Sequence, residues 1–193
     1  KSRDADLHNR LLTIMGVNSL LKDSKNLRDK ILFEPVPSGD KFLAPIIEAL
    51  RDEYAIQITH QGFGKAYPST YLVEPYCLKM FKQRWYMLAY SPGTDDMRVY
   101  GLDRIQAIEP STEKYKIPKD FDAERYFKNT YGVSFADDQP EEVKVKISAY
   151  QANFLRSLPI HASQEEIECN DEFSIFRYFV VPTFEFMQEL RKY

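Results

Sequence analysis

The chain has 193 residues, 44% hydrophobic and 28% charged, enough for one or two domains with buried cores and ordinary for a soluble globular protein. A net charge of −3 supplies no basic field over the whole molecule, so contact with nucleic acid requires a local cluster; even between Tyr54 and Pro110 six Lys or Arg stand against five Asp or Glu. Cys77 and Cys169 lie far apart without a CxxC pair, which argues against a disulfide framework or zinc site and fits a reducing cytoplasm, and no apolar run has the length of a membrane span or the form of a signal peptide.

The first residue, Lys1, reads as the start of a fragment with a segment missing upstream. Leu7, Leu11, Leu12 and Met15 recur at helical spacing, which predicts an amphipathic helix over residues 4–15. Leu20, Leu21, Leu27, Ile31 and Leu32 suggest a second, looser helix ending before Pro35 and Pro37. Ile46, Ile47 and Leu50 share one side of a third, over residues 41–52. Without a basic recognition helix, these segments read as a connector.

From Tyr54 the pattern changes to strands. Ile56, Ile58 and His60 alternate with Gln57, Thr59 and Gln61, and Gly62 and Gly64 mark a turn. Three short apolar runs follow at 71–73, 85–90 and 97–102. Pro75, the stretch 79–84 and a hairpin loop at 92–96 separate them, as in a tight antiparallel meander. Pro75 predicts a bent or edge strand. Residues 85–90 are apolar on both faces, as in a buried strand, and a fifth strand is expected at 105–109. Five short strands with tight turns point to a small closed barrel.

Residues 109–139 are charged and carry Pro110 and Pro118, so they read as a linker, with one helical turn near Tyr126 and Phe127. Beyond it, Val143, Val145 and Ile147 alternate with Lys144, Lys146 and Ser148, a half-exposed strand. Residues 150–157 look helical with Phe154 and Leu158 facing inward, and residues 173–181 form an aromatic, β-branched strand. Thr183 is a good N-cap after Pro182 for a last helix over 184–193. Strand, helix, two strands and helix make up most of a ferredoxin-like unit, one closing strand short.

The stretch from Tyr71 to Ile105, and within it Trp85-Tyr86-Met87 and Arg98 followed by Leu102-Asp103-Arg104-Ile105, resembles the WYL-domain family. These are bacterial ligand-sensing modules, usually attached to a DNA-binding winged helix in transcription regulators. The resemblance implies an α+β chain with a helical connector at 1–40 and a WYL domain at 41–110 built as a helix plus a five-stranded Sm-like barrel. A linker at 111–141 and an incomplete ferredoxin-like C-terminal extension at 142–193 would follow. The chain departs from the family pattern at Gly101, often a second Arg, at Tyr71, where many members carry a basic residue, and at Met87, a conservative change in the signature.

Several residues are candidate ligand or nucleic-acid contacts. Arg98 shares a strand face with Tyr100, and guanidinium forks suit phosphate or carboxylate oxygens; the resemblance places Arg98 on the family's proposed anion- or nucleic-acid-binding surface. Arg104 is equally suited to pairing with Asp103. His60 falls where the family has an aromatic residue or histidine at the end of the first strand. Trp85 reads as core. Tyr86 reads as a half-buried ring or a stacking platform, with Tyr71 a further aromatic. Lys79, Lys82 and Arg84, interleaved with Met80 and Phe81, suit single-stranded nucleic acid or a plain solvated hairpin.

His8, His60 and His161 fall in separate segments, and no Ser-His-Asp order, HExxH, P-loop or GxGxxG is present. No catalysis, cofactor or metal site is therefore expected. The expectation is a cytoplasmic effector-sensing fragment that binds a nucleotide-like ligand or single-stranded nucleic acid and controls a missing N-terminal DNA-binding domain, as a homodimer and without a membrane. The alternative is a dimerisation or assembly module without a ligand of its own.

Overall fold

The computed structural model describes residues 39–135 and 139–193, all within one compact unit, Pro37–Tyr193. The helices expected over residues 4–15 and 20–32 lie outside the described residues.

A short 3-10 turn, Asp40–Phe42, leads into α1, Leu43–Asp52. Ile46 and Ala49 on its inner side, with Phe42 before it, are buried against the first sheet. The helix stops at Glu53, which takes a left-handed conformation (φ 54°) and caps the last turn with its N–H on the Ala49 carbonyl. Strands β1 (Tyr54–His60), β2 (Ser69–Phe81), β3 (Arg84–Ser91), β4 (Asp96–Gly101) and β5 (Ile105–Lys114) follow. They form an antiparallel sheet in the order β4-β3-β2-β1-β5.

The long strand β2 organises this sheet. Its first half pairs with β1, from His60 opposite Ser69 to Ile56 opposite Val73. Its second half pairs with β3, from Glu74 opposite Tyr90 to Phe81 opposite Arg84. The change of partner coincides with an irregularity between Pro75 and Cys77. The buried Pro75 thus bends β2 where it changes partners; β2 is central and not an edge. The basic stretch 79–84, expected to separate two strands, instead continues β2 to Phe81 and begins β3 at Arg84. Only Lys82 and Gln83 turn the chain, with φ of 46° and 62°, the twist of a type I′ hairpin.

No closed barrel forms. The 3-10 turn Leu102–Arg104 connects β4 to β5, but these two strands are opposite ends of the sheet order. The tight turns that suggested closure are present, but β2 runs from Ser69 to Phe81 and β5 from Ile105 to Lys114, and among the described residues no ladder joins β4 to β5. One core lies on the concave face, built from Ile56, Ile58, Val73, Met87, Ala89, Tyr100, Leu102 and Ile105 with α1.

The segment read as a charged linker packs tightly. Tyr115, Phe127, Thr130, Tyr131 and Val133 are buried, and the Tyr115 hydroxyl donates to the Pro75 carbonyl. Helix α2, Ala123–Phe127, is capped by Asp122, whose carboxylate accepts from the Glu124 and Arg125 N–H groups.

The C-terminal part contains β6 (Glu141–Ser148), α3 (Ala149–Ser157), β7 (Glu165–Cys169), β8 (Phe173–Val180) and α4 (Phe184–Leu190). Its sheet order is β6-β8-β7, so β8 lies between the two strands that α3 connects. The expected inward face of α3 is wrong by one helical phase. Ala152 and Leu155 are the buried positions, whereas Phe154 and Leu158 are 51% and 74% exposed. Ser148 caps this helix, its hydroxyl accepting from the Gln151 N–H. Thr183 caps α4 as expected, its hydroxyl accepting from the Phe186 N–H at 3.3 Å. Among the described residues no helix is long and apolar enough to cross a membrane.

Candidate ligand site

Because successive side chains of a strand alternate faces, the pairing of Met87 with Tyr100 and of Ala89 with Arg98 puts Arg98 and Tyr100 on the concave face. The pairing of Ile58 with Tyr71 puts Tyr71 and His60 there too. These residues converge at one end of the sheet. The rings of His60 and Tyr100 meet edge to face with centroids 5.3 Å apart, and Tyr71 lies 5.9 Å from Tyr100. Arg98 is at the outer edge of this cluster, 42% exposed and 3.8 Å from Asp96.

Arg104 reaches the same end from the 3-10 turn. Its carbonyl accepts from the Gln61 N–H at 3.1 Å, which ties the turn to the end of β1. Its guanidinium lies 4.5 Å from the centre of the Phe63 ring. Asp103 is 3.9 Å away, beyond hydrogen-bond distance, and Arg104 Nε and Asp103 Oδ1 are both buried without a hydrogen-bond partner among the described residues.

His60 carries the clearest electrostatic signature. Its ring is buried and its Nε2 has no hydrogen-bond partner among the described residues. Burial, helped by the positive charge of Arg104 and opposed by Asp103, lowers its pKa to about 4. His60 is therefore neutral at physiological pH and can accept or donate one hydrogen bond without changing charge. Burial likewise raises the Tyr100 phenol, offset in part by Ser91 and Arg98.

The remaining candidates belong to the other face. Tyr86 pairs with Lys79, and Arg84 with Phe81; all four lie on the convex side, away from Arg98. Lys79 Nζ donates to the Gly132 carbonyl at 2.5 Å and lies 4.0 Å from the Phe127 ring centre, and burial lowers its pKa. Lys82 pairs with Glu189 at 2.6 Å. Arg84 approaches Asp103 at 3.4 Å. Instead of a single strip, the basic run forms anchors to the segment after β5 and to α4. Phe81 packs on the second core, edge to face with Tyr131 at 5.3 Å.

Residues 41–110 match the WYL domain family. They form a WYL domain. A comparison with solved structures finds a similarity to proteasome accessory factor B/C (PafBC) of Arthrobacter aurescens at 15% sequence identity and a TM-score of 0.40. That alignment covers 82% of this chain and 27% of the other, so this chain spans about a quarter of that protein's length. No curated protein matches the chain.

Within the WYL domain, sequence reasoning located His60, Tyr71, Arg98 and Tyr100, which the fold brings together, but treated Tyr86 and the basic run as their neighbours. It passed over Phe63, on whose ring Arg104 rests, and Glu185 and Arg191, which line the same cleft as Tyr86 from α4 and its end; the pairing of Arg104 with Asp103 that it offered is 3.9 Å long. Strand alternation from the Met87–Tyr100 pair would have separated the two faces. No sequence signal marks Phe63, which sits in a Gly-flanked loop.

Proposed function

We propose that this chain is the effector-sensing part of a bacterial transcription regulator. Its WYL domain takes a nucleotide-like ligand or single-stranded nucleic acid at the cluster of His60, Tyr71, Arg98, Tyr100 and Arg104, and so biases a DNA-binding domain located elsewhere in the full-length protein. The observation that carries this reading is the buried, unpartnered Nε2 of a neutral His60 beside two guanidiniums and two tyrosine rings. A buried polar atom without a partner is costly, and a ligand hydrogen bond would remove that cost. Arg98 supplies an exposed fork for phosphate, and Tyr71 supplies a ring on which a base can rest. The C-terminal sheet fits an incomplete ferredoxin-like extension, and the anchors from β2 to it supply a route by which a ligand could favour one arrangement over another.

The test is a titration of fluorescently labelled short single-stranded DNA with the chain and with Arg98→Ala at two salt concentrations. Salt-sensitive binding, weakened in the variant, is expected. If neither DNA nor nucleotides bind, or Arg98→Ala binds as well as the unaltered chain, the reading fails.

A second reading, an assembly module, is favoured by one observation. Tyr150, Phe154 and Leu158 lie at successive turns of α3 and its end, 75%, 51% and 74% exposed, an apolar stripe of the kind found at subunit contacts. Light scattering decides it: a dimer that Phe154→Ser dissociates, and that ligands do not alter, favours assembly.

A further inference from the structure

We propose that the cleft between the β2–β3 hairpin and α4 is a separate ligand site, suited to a guanine nucleotide. It lies on the convex face of β3, opposite the His60 cluster; Asp103 stands between the two, 3.4 Å from Arg84 and 3.9 Å from Arg104, and Arg191 and Glu185, on which this site is tested, belong to the cleft alone. The cleft has a volume of about 560 Å³, in the range of small-ligand pockets. Lys82, Arg84 and Tyr86 line it from the hairpin, and Glu185, Glu189, Arg191 and Lys192 from α4 and the turn after it.

Charge argues for an anionic ligand. Four basic side chains face two carboxylates here, on a chain whose net charge is −3. Glu189 is already occupied, by Lys82 at 2.6 Å and Lys192 at 2.8 Å. Burial opposes its ionisation, but hydrogen bonds from Lys192, Lys82 and Tyr131 outweigh this and bring its pKa to about 2. Arg84 is held only loosely, at 3.4 Å from Asp103, and Arg191 stands outside all these pairs. Two planar guanidiniums on opposite walls are the arrangement that grips a phosphate.

Glu185 argues for what the rest of that ligand carries. Its Oε2 is buried without a hydrogen-bond partner among the described residues, which calls for an N–H donor. Guanine presents an imino N–H and an amino group side by side, both donors, on one edge. Adenine places a lone pair beside its amino group, which a carboxylate repels. The half-buried Tyr86 ring on the cleft wall offers the base a stacking surface. A nucleotide so held would bridge the WYL sheet and α4, and its phosphate would compete with Glu189 for Lys82.

The 193-residue chain is titrated with GMP, AMP or inorganic phosphate in a calorimeter. GMP is expected to bind about tenfold more tightly than AMP, the effect of one charge-assisted hydrogen bond, with phosphate weakest. Arg191→Ala should weaken both nucleotides by about tenfold, and Glu185→Gln should weaken GMP while sparing AMP. The proposal is overturned if GMP produces no heat of binding at millimolar concentration, if phosphate alone binds as well as GMP, or if both variants bind GMP unchanged. The DNA titration with Arg98→Ala reports separately on the His60 cluster.

Discussion

The guanidinium of Arg104 fills the space that a side chain at position 101 would need. A Cβ on Gly101 would lie 2.6 Å from Arg104 Nη2, 2.9 Å from its Nε and 2.7 Å from Asp103 Oδ1. The backbone at Gly101 is ordinary, with φ −72°, so what the glycine provides is room and not conformational freedom. The absence of a side chain at 101 lets the guanidinium three residues later fold back towards His60 and Phe63.

Gly101→Ala tests this relationship. The atoms in the way are the ends of flexible side chains, so they can give, and a stability loss of about 1 kcal/mol or less is expected in urea unfolding. Arg104 would be displaced from His60, and the His60 pKa should rise from about 4 because one of its lowering influences is removed. A proton NMR titration of the imidazole measures this. An unchanged pKa would mean that Arg104 is not the charge that His60 senses.

His60 also makes stability depend on pH. Its folded pKa of about 4 lies below its ordinary value of 6.5, so between those values the unfolded chain binds more protons than the folded one. Stability therefore rises with pH across this window, is complete above 6.5, and falls as the solution is acidified towards 4. The slope is at most about 1.4 kcal/mol per pH unit from this one group. Urea unfolding at pH 7 and pH 5 should show the loss, and His60→Gln should shrink it. Equal sensitivity in the variant would assign the acid response to other groups.

Arg98→Ala separates binding from folding. The side chain is 42% exposed and its only ion pair among the described residues, with Asp96, is 3.8 Å long, so its removal should change stability by less than about 0.5 kcal/mol. A larger loss would mean that Arg98 supports the fold, and a binding defect in the variant could not then be read as a missing phosphate contact.

Strands β1, β3, β4, β6 and β8, the Pro75 bend, the face that His60 shares with Ile56 and Ile58, and the Thr183 cap were legible in the sequence because each rests on local periodicity or local chemistry. What the sequence concealed depends on pairing between distant segments. Residues 79–81 looked like a solvated basic turn because Lys79 and Lys82 are charged, yet their partners, the Gly132 carbonyl and Glu189, are more than 50 residues away. Closure of the sheet is likewise a question of whether β4 finds β5, which strand spacing does not determine. The phase of α3 was misjudged because Ala152, small but buried, carries less signal than the exposed Phe154.

The contact of the hairpin with the C-terminal part depends on Gly132. It has φ +71°, and a Cβ there would lie 2.6 Å and 2.9 Å from two atoms of the Phe81 ring. Gly132→Ala would therefore incur the left-handed backbone cost, roughly 1–2 kcal/mol, and would also push Phe81 off Tyr131 and the second core. A total loss of about 2–4 kcal/mol is expected. Phe81→Ala alone removes a half-buried ring and should cost about 2 kcal/mol, but it also clears the space that the alanine methyl needs. In the double variant the two losses should then sum to less than their separate values, by about 1 kcal/mol. Strict additivity in urea unfolding of the four proteins would show that Phe81 and Gly132 do not hold each other, and that the hairpin is not seated through this contact.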